Sequence, residues 1–273
     1  MPLVKLSGIP WPSEETSLWR YMDLAKFVSL PQSASLYFPS VAQLAVSDPY
    51  EGRFPHAQAV ALSDPKSWKI GDLGERVFTP EESAKILNTM ARTFIPQAEA
   101  VALYHTYVSC WHANPAESDA MWRLYSLQGQ GIAVCTTFKH LRESLDAETK
   151  TIFAGKVTYL DYGWRGIDME DQMHVVFHKR ESFAHELEVR LAYQIPTEER
   201  KALGPTGISV PVDLGVAIDR VLVSPAAPEW VVDVVANLLE RYGLTASLVS
   251  QSPLYRPRRK AERHDPSIGH DLP

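Results

Sequence analysis

The run His185–Tyr193, HELEVRLAY, alternates charged and apolar side chains, and that period of two constrains the fold more than any other feature of the chain. In a strand, successive side chains point to opposite faces. Glu186, Glu188 and Arg190 therefore share one face, while Leu187, Val189 and Leu191 enter a core. Two carboxylates two residues apart on one face repel, so a cation must compensate one of them. Arg190, Lys179, Arg180 and Arg20 are the candidates. One reading makes the strand a solvent-facing ladder of ion pairs. Another uses one acid to stabilise positive charge at a sugar carbon and the other to orient or deprotonate a nucleophile.

Around this strand the other patterns are mixed. SLWRY (17–21), SLYF (35–38), Tyr104–Trp111, Ile132–Thr137, Gly155–Leu160, Ile218–Ser224 and Ala246–Ser250 read as strands. Helices are expected over Asp23–Leu30 (stopped by Pro31), Pro80–Phe94, Ala120–Leu127, Lys139–Leu145, Asp168–Arg180 and Pro228–Tyr242. Thr79–Pro80–Glu81–Glu82 supplies an N-cap, a first-turn proline and two acids suited to the helix dipole. Residues 55–78 read as irregular. Several strands follow one another without a crossover helix. The expected class is therefore α+β, a mixed or antiparallel sheet flanked by helices, in one domain over 1–254. No GxGxxG or GxxxxGK[ST] phosphate loop occurs.

The formal net charge of −6 argues against a general nucleic-acid coat. The exception is the end of the chain, 255–273, where Arg256, Arg258, Arg259, Lys260 and Arg263 lie among prolines. It reads as a disordered basic tail. No apolar leader or span-length segment is present, so a cytoplasmic, non-membrane protein is expected. Cys110 and Cys135 sit in apolar runs and read as core residues.

Other residues carry weaker signals. Arg20 is a lone base in an apolar strand, suited to holding a phosphate or carboxylate. Ser109, Trp111, Trp122 and Tyr125 bring polar and aromatic groups near one another, either as core or as a surface for a flat ring. Asp48 and Glu51, in SDPYEG, read as turn caps or pocket acids. His174 and His178 are four apart without an HExxH context. Ser109, Ser126 and Ser224 have no GxSxG surroundings.

The order LWRYMD, LYF, SDPYEG, SCWHAN, MWRLYS, GIAV, HKRESFAHELEVR, IDRVLVSP and SLVSQSPL resembles the DUF2971 family of bacterial proteins of unknown function, over about residues 17–254. A weaker resemblance is to the ADP-ribosyltransferase superfamily. It implies an NAD-dependent transferase, a toxin or phage-defence effector, with an unknown acceptor. By that resemblance Arg20 would anchor NAD, Ser109 would take the middle place of the site and Tyr125 would stack on nicotinamide. Glu188 would bind the ribose hydroxyl and stabilise an oxocarbenium-like transition state, and Glu186 would orient the acceptor. Tyr21, Trp122, Lys179, Arg180 and Arg190 complete the candidate cofactor-binding set.

The transferase reading requires Arg20, Tyr125 and Glu188 to converge in one cleft. The alternative is a non-catalytic module binding a nucleotide-like small molecule or a partner. It requires Glu186 and Glu188 to be paired with Lys179, Arg180 or Arg190, with no pocket beside them. A third reading, a metal-dependent nuclease or hydrolase, requires Asp48, Glu51, Glu186 and a histidine around one point.

Overall fold

The computed structural model describes residues 3–67, 79–125, 129–167, 171–196 and 206–256. Its strands are β1 (Leu3–Lys5), β2 (Ser17–Asp23), β3 (Ser35–Pro39), β4 (Thr106–Ala113), β5 (Gly131–Thr137), β6 (Ile152–Lys156), β7 (Thr158–Leu160), β8 (His178–Arg180), β9 (Glu188–Gln194), β10 (Gly207–Pro211), β11 (Arg220–Val223) and β12 (Val249–Gln251). Its α-helices are α1 (Leu24–Ser33), α2 (Val41–Leu44), α3 (His56–Leu62), α4 (Pro80–His105), α5 (Asp119–Tyr125), α6 (Phe138–Glu143), α7 (Leu214–Ala217) and α8 (Trp230–Arg241). Among the described residues, eight strands form one mixed sheet in the order β1-β6-β9-β4-β2-β5-β11-β12. The end pairs β1–β6 and β11–β12 are parallel and the inner pairs antiparallel. This is the α+β architecture expected from the strand-rich pattern.

The register fixes which residues share a face. His112 lies opposite Glu188 and Cys110 opposite Arg190, and Trp19 pairs with His112. Trp19, Tyr21, Cys110, His112, Glu188 and Arg190 thus point to one side, which we call the ionic face. Leu18, Arg20, Met22, Ser109, Trp111, Val189 and Leu191 point to the other. That second face carries the largest apolar cluster, with Phe27 and Leu30 of α1, Phe138 and Leu141 of α6, and Val231, Val235 and Leu239 of α8. The ionic face is covered in two parts. Ile95, Ala98 and Ala102 of α4, with Met173 and Val176, cover Val108 and Ala192. Met121 and Trp122 of α5 cover Trp19, Tyr21 and Leu222.

Several elements depart from the sequence reading. α1 continues through Pro31, which is itself buried beside Phe27 and Leu30. α4 begins with a full capping box between Thr79 and Glu82 but runs through Pro96 to His105, because Ile95, Ala98, Ala102 and Leu103 are buried along it. Part of the region read as irregular is helix, α3 and a 3₁₀ turn at Pro65–Ser67; residues 68–78 lie outside the described residues. The helix expected over Asp168–Arg180 is a 3₁₀ segment, Gln172–Phe177, followed by β8; 168–170 are outside the described residues. Met173 to Phe177 are all buried, so this segment has no polar face to give a surface α-helix. Gly155–Leu160 divides at Val157 between β6 and β7. Ala246–Leu248 is 3₁₀ before β12. Both cysteines are free. Tyr255 is anchored, its hydroxyl donating to Asp119 and accepting from Arg123, while 257–273 lie outside the described residues. Ser126 and Leu127, placed in a helix by the sequence pattern, are also outside them. Among the described residues no helix is long and apolar enough to cross a membrane.

Gly155 lets β6 approach the segment before β2. A Cβ there would stand 2.3 Å from Ile9 Cγ2, on a side chain that is itself buried. Gly155→Ala is expected to lower the unfolding free energy by about 1–3 kcal/mol through this overpacking. Urea denaturation measures it, and an unchanged midpoint would contradict the packing described.

Candidate functional site

Leu187, read from the alternation as a core residue of a continuous strand, is instead exposed and left-handed, with φ 43° and ψ 51°. A leucine in that region costs roughly 1–2 kcal/mol. The residue closes a 3₁₀ segment, Glu181–Glu186, and β9 starts one residue later. Glu186 therefore does not lie on β9 at all, yet its carboxylate still reaches the ionic face.

There, Glu51, Glu186, Glu188, Lys179 and Arg190 form one buried cluster, and the expectation of a solvent-facing ladder does not hold. Arg190 is 0% exposed, and Glu188 and Glu186 are 5% and 6% exposed. Each of the five N–H groups of Arg190 has an acceptor. Nε donates to Glu188 Oε1 at 2.5 Å and Nη2 to Glu188 Oε2 at 3.1 Å. Nη1 and Nη2 also hold Glu51 Oε1 and Oε2, at 2.5 and 3.1 Å, and Nη1 donates to the Val176 carbonyl at 2.5 Å. Lys179 Nζ donates to Glu186 Oε2 at 2.5 Å and Glu188 Oε2 at 3.4 Å, and lies 3.6 Å from Glu51 Oε2. The remaining oxygen of Glu186 accepts from the Tyr125 hydroxyl at 2.5 Å. Three carboxylates thus face two cations, and the phenol of Tyr125 supplies the last donor.

The electrostatics follow from this enclosure. Burial alone would push the Glu188 carboxyl up, but Arg190 and Lys179 outweigh it and hold it at about 2. Burial would discharge Lys179, yet Glu188, Glu51 and Glu186 raise its pKa above the ordinary value. Burial also raises the Cys110 thiol well above its usual range, and the negative charge of the neighbouring Glu188 pushes it the same way. Burial and the bond to Glu186 both push the Tyr125 phenol up.

The other predicted site residues are distributed differently. Arg20 and Ser109 are together, but on the far side of the sheet: Arg20 Nη1 donates to Ser109 Oγ at 3.1 Å and Nη2 to the Tyr37 carbonyl at 2.7 Å. Ser109 is fully buried and also accepts from Trp111 Nε1. The sheet itself separates this pair from Glu188, so Arg20, Tyr125 and Glu188 do not meet in one cleft. Tyr21 is on the ionic face, where its hydroxyl accepts from the Ser118 amide and its ring meets Trp122 edge-on at 5.0 Å. Trp122 is buried and donates Nε1 to Glu117. These two aromatics are core. Arg180 turns away from the cluster to Asp48, at 2.6 Å, and stacks over Tyr50.

The donors of the metal reading are engaged by partners within the fold. Arg190 and Arg180 occupy Glu51 and Asp48, and His174 and His178 contact the Ser7 and His174 carbonyls. Among the described residues no group of three or more His, Cys, Asp or Glu side chains is placed to hold a metal ion.

Sequence reasoning missed Glu51 as the second partner of Arg190, and it missed His112. That ring is 4% exposed and donates Nδ1–H to the Glu186 carbonyl at 2.6 Å, while Nε2 has no partner among the described residues. Burial holds its pKa below the ordinary histidine value. It also missed a cavity of about 480 Å³ on the same face, beyond α5, lined by Trp19, Glu117, Arg220, Leu222, Ser250 and Arg256 among others.

Arg190→Met is expected to destabilise the fold by about 3–5 kcal/mol, because Glu51 and Glu188 would be buried without their partner. Glu188 has a folded pKa below its unfolded value. Its contribution is therefore complete above about pH 4.5 and is lost as the pH falls toward about 2. Denaturant titrations over that range should show wild type losing stability on acidification and Arg190→Met losing much less. Parallel acid dependence in the two proteins would contradict the pairing. Compared with protein-family models, curated proteins and solved structures, the chain matches none.

Proposed function

We propose that the chain is a non-catalytic module that binds a nucleotide-like small molecule, and that the Glu186–Glu188 carboxylates are structural. The observation that carries this reading is the engagement of both Glu188 oxygens by buried cations of the fold. Both of its oxygens are bonded to Arg190, and Lys179 contacts one of them. A carboxylate that stabilises charge at a reacting sugar carbon must face that carbon with an oxygen free of buried partners. Freeing Glu188 would strip a fully buried guanidinium of two of its bonds, a cost of several kcal/mol by the same reasoning as for any broken buried pair.

The pairing with Lys179 and Arg190 is one of the two conditions of the binding-module reading; the other is that no pocket adjoins the carboxylates, and the cavity beyond α5 is lined by neither Glu186 nor Glu188. The transferase reading asked for Arg20 beside Glu188, and the two point from opposite faces of the sheet. The exposed Arg220 and Arg256 lining the cavity on the ionic face favour an anionic ligand such as a nucleotide.

NAD turnover tests this reading. Wild type incubated with millimolar NAD is expected to release no nicotinamide above a protein-free blank by liquid chromatography, and Glu188→Gln is expected to lower stability without changing that result. Nicotinamide released by wild type and abolished by Glu188→Gln would sink the proposal and restore the transferase.

A further inference from the structure

α5 covers its part of the sheet with little apolar contact. Seven residues are too few to hold a helix by propensity alone, so its position depends on tertiary contacts. Of the seven only Met121 and Trp122 are buried, whereas Leu124 and Tyr125 are 59% and 43% exposed. The two buried side chains meet Trp19, Tyr21, Ala133, Cys135 and Leu222 in a cluster apart from the two larger ones. Elements with so few buried contacts are the ones that open locally, below the free energy of global unfolding.

Side-chain hydrogen bonds hold α5 in place instead, and a distant segment supplies three of them. The chain just before the helix moves with it: Glu117 Oε2 accepts from Trp122 Nε1 at 3.0 Å, and Ser118 Oγ from the Met121 amide at 3.4 Å. Residues 115–125 are thus one unit. Against it lies the segment after β12, residues 252–256. Ser252 Oγ donates to the same Glu117 oxygen at 2.5 Å. The Tyr255 hydroxyl donates to Asp119 and accepts from Arg123 Nη2 at 3.3 Å. These three contacts span 132 to 136 positions of the chain. Ser252 is itself fixed, for it is buried and its amide donates to the Val223 carbonyl of β11 at 2.9 Å. From the sheet side, the Tyr21 hydroxyl accepts from the Ser118 amide at 2.9 Å, and Glu186 holds the Tyr125 hydroxyl.

The two partners in this contact are also two walls of the cavity. Pro115, Ala116 and Glu117 line it from the α5 side, and Gln251, Pro253 and Arg256 line it from the other. The bond between Glu117 and Ser252 joins the walls, so parting it frees α5 and widens the cavity together.

We propose that Ser252 and Tyr255 form a latch that holds the unit 115–125 shut over Trp19 and Tyr21. Its release lets that unit lift from the sheet while the rest of the fold stays intact. Ser252 is the stronger half, because it is buried and its acceptor is a carboxylate. Tyr255 is exposed and meets a carboxylate on the surface, so its contribution is smaller. The latch belongs to the free protein and does not depend on what the cavity binds.

Native-state hydrogen exchange, followed by NMR in wild type, Ser252→Ala and Tyr255→Phe, tests it. In wild type the α5 amides should exchange faster than those of β9. They should also respond much less to added urea, because a local opening exposes little surface. Ser252→Ala should speed α5 exchange about tenfold without urea and keep the shallow urea response; Tyr255→Phe should speed it about threefold. Two results would overturn the proposal. One is α5 exchange at the rate and urea dependence of β9, which would mean that the unit opens only on global unfolding. The other is α5 exchange no faster in Ser252→Ala than in wild type. Tyr255 is exposed, so Tyr255→Phe carries the second test if Ser252→Ala does not fold.

Discussion

The guanidinium of Arg190 ties together parts of the chain that no local pattern connects. It sits on β9 and bonds Glu188 on the same strand, Glu51 in the turn after α2 and the backbone carbonyl of Val176 in the 3₁₀ segment. A charge this deep survives only when its partners are charged and close, because desolvation opposes ionisation of every member. Glu51 and Glu188 supply those partners, and Lys179 balances what Arg190 leaves over. The arrangement specifies geometry: the SDPYEG turn, β8 and β9 must all be in place before the whole set is satisfied. A hydrophobic replacement of the whole set could pack as well, so the cluster is best understood as fixing the register of these segments.

Sheet parity then distributes the remaining chemistry. Alternation along β2 and β4 sends Trp19, Tyr21, Cys110 and His112 to the ionic face and Arg20, Ser109 and Trp111 to the other. Residues that are neighbours in sequence thereby enter different environments. Arg20 becomes a strut between β2, β3 and β4, while Trp19, one position earlier, forms the floor of the cavity. Along the ionic face the chain passes from an enclosed, mutually bonded set of charges to a cavity lined by the exposed Arg220 and Arg256. Tyr21, Met121 and Trp122 pack between them.

How much of this is legible in the sequence depends on the range of the interaction. The β9 alternation places Glu188 and Arg190 on one face, and Thr79 with Glu82 announces the start of α4, because both signals are local. The break at Leu187 is invisible, since a leucine in the left-handed region leaves no periodic mark and is chosen by its surroundings. The pairing of Glu51 with Arg190 spans 139 positions and is set by topology alone. Arg20 was grouped with Glu188 by residue type, and only the register of β2, β4 and β9 shows that a sheet lies between them. The cavity draws on β2, β11, β12 and the chain before α5, so no single segment could have advertised it.

The proposed reading stands on one claim, that Glu188 is an ionised structural partner of Arg190 rather than a reacting group. The most direct measurement is the side-chain carboxyl carbon shift of Glu188, followed by NMR as the folded protein is acidified. The claim requires the carboxylate signal to persist unchanged through pH 4.5 and to move only as the pH approaches about 2 or the protein unfolds. A midpoint at or above the ordinary glutamate value would contradict it, and would return Glu188 to the candidates for a catalytic acid.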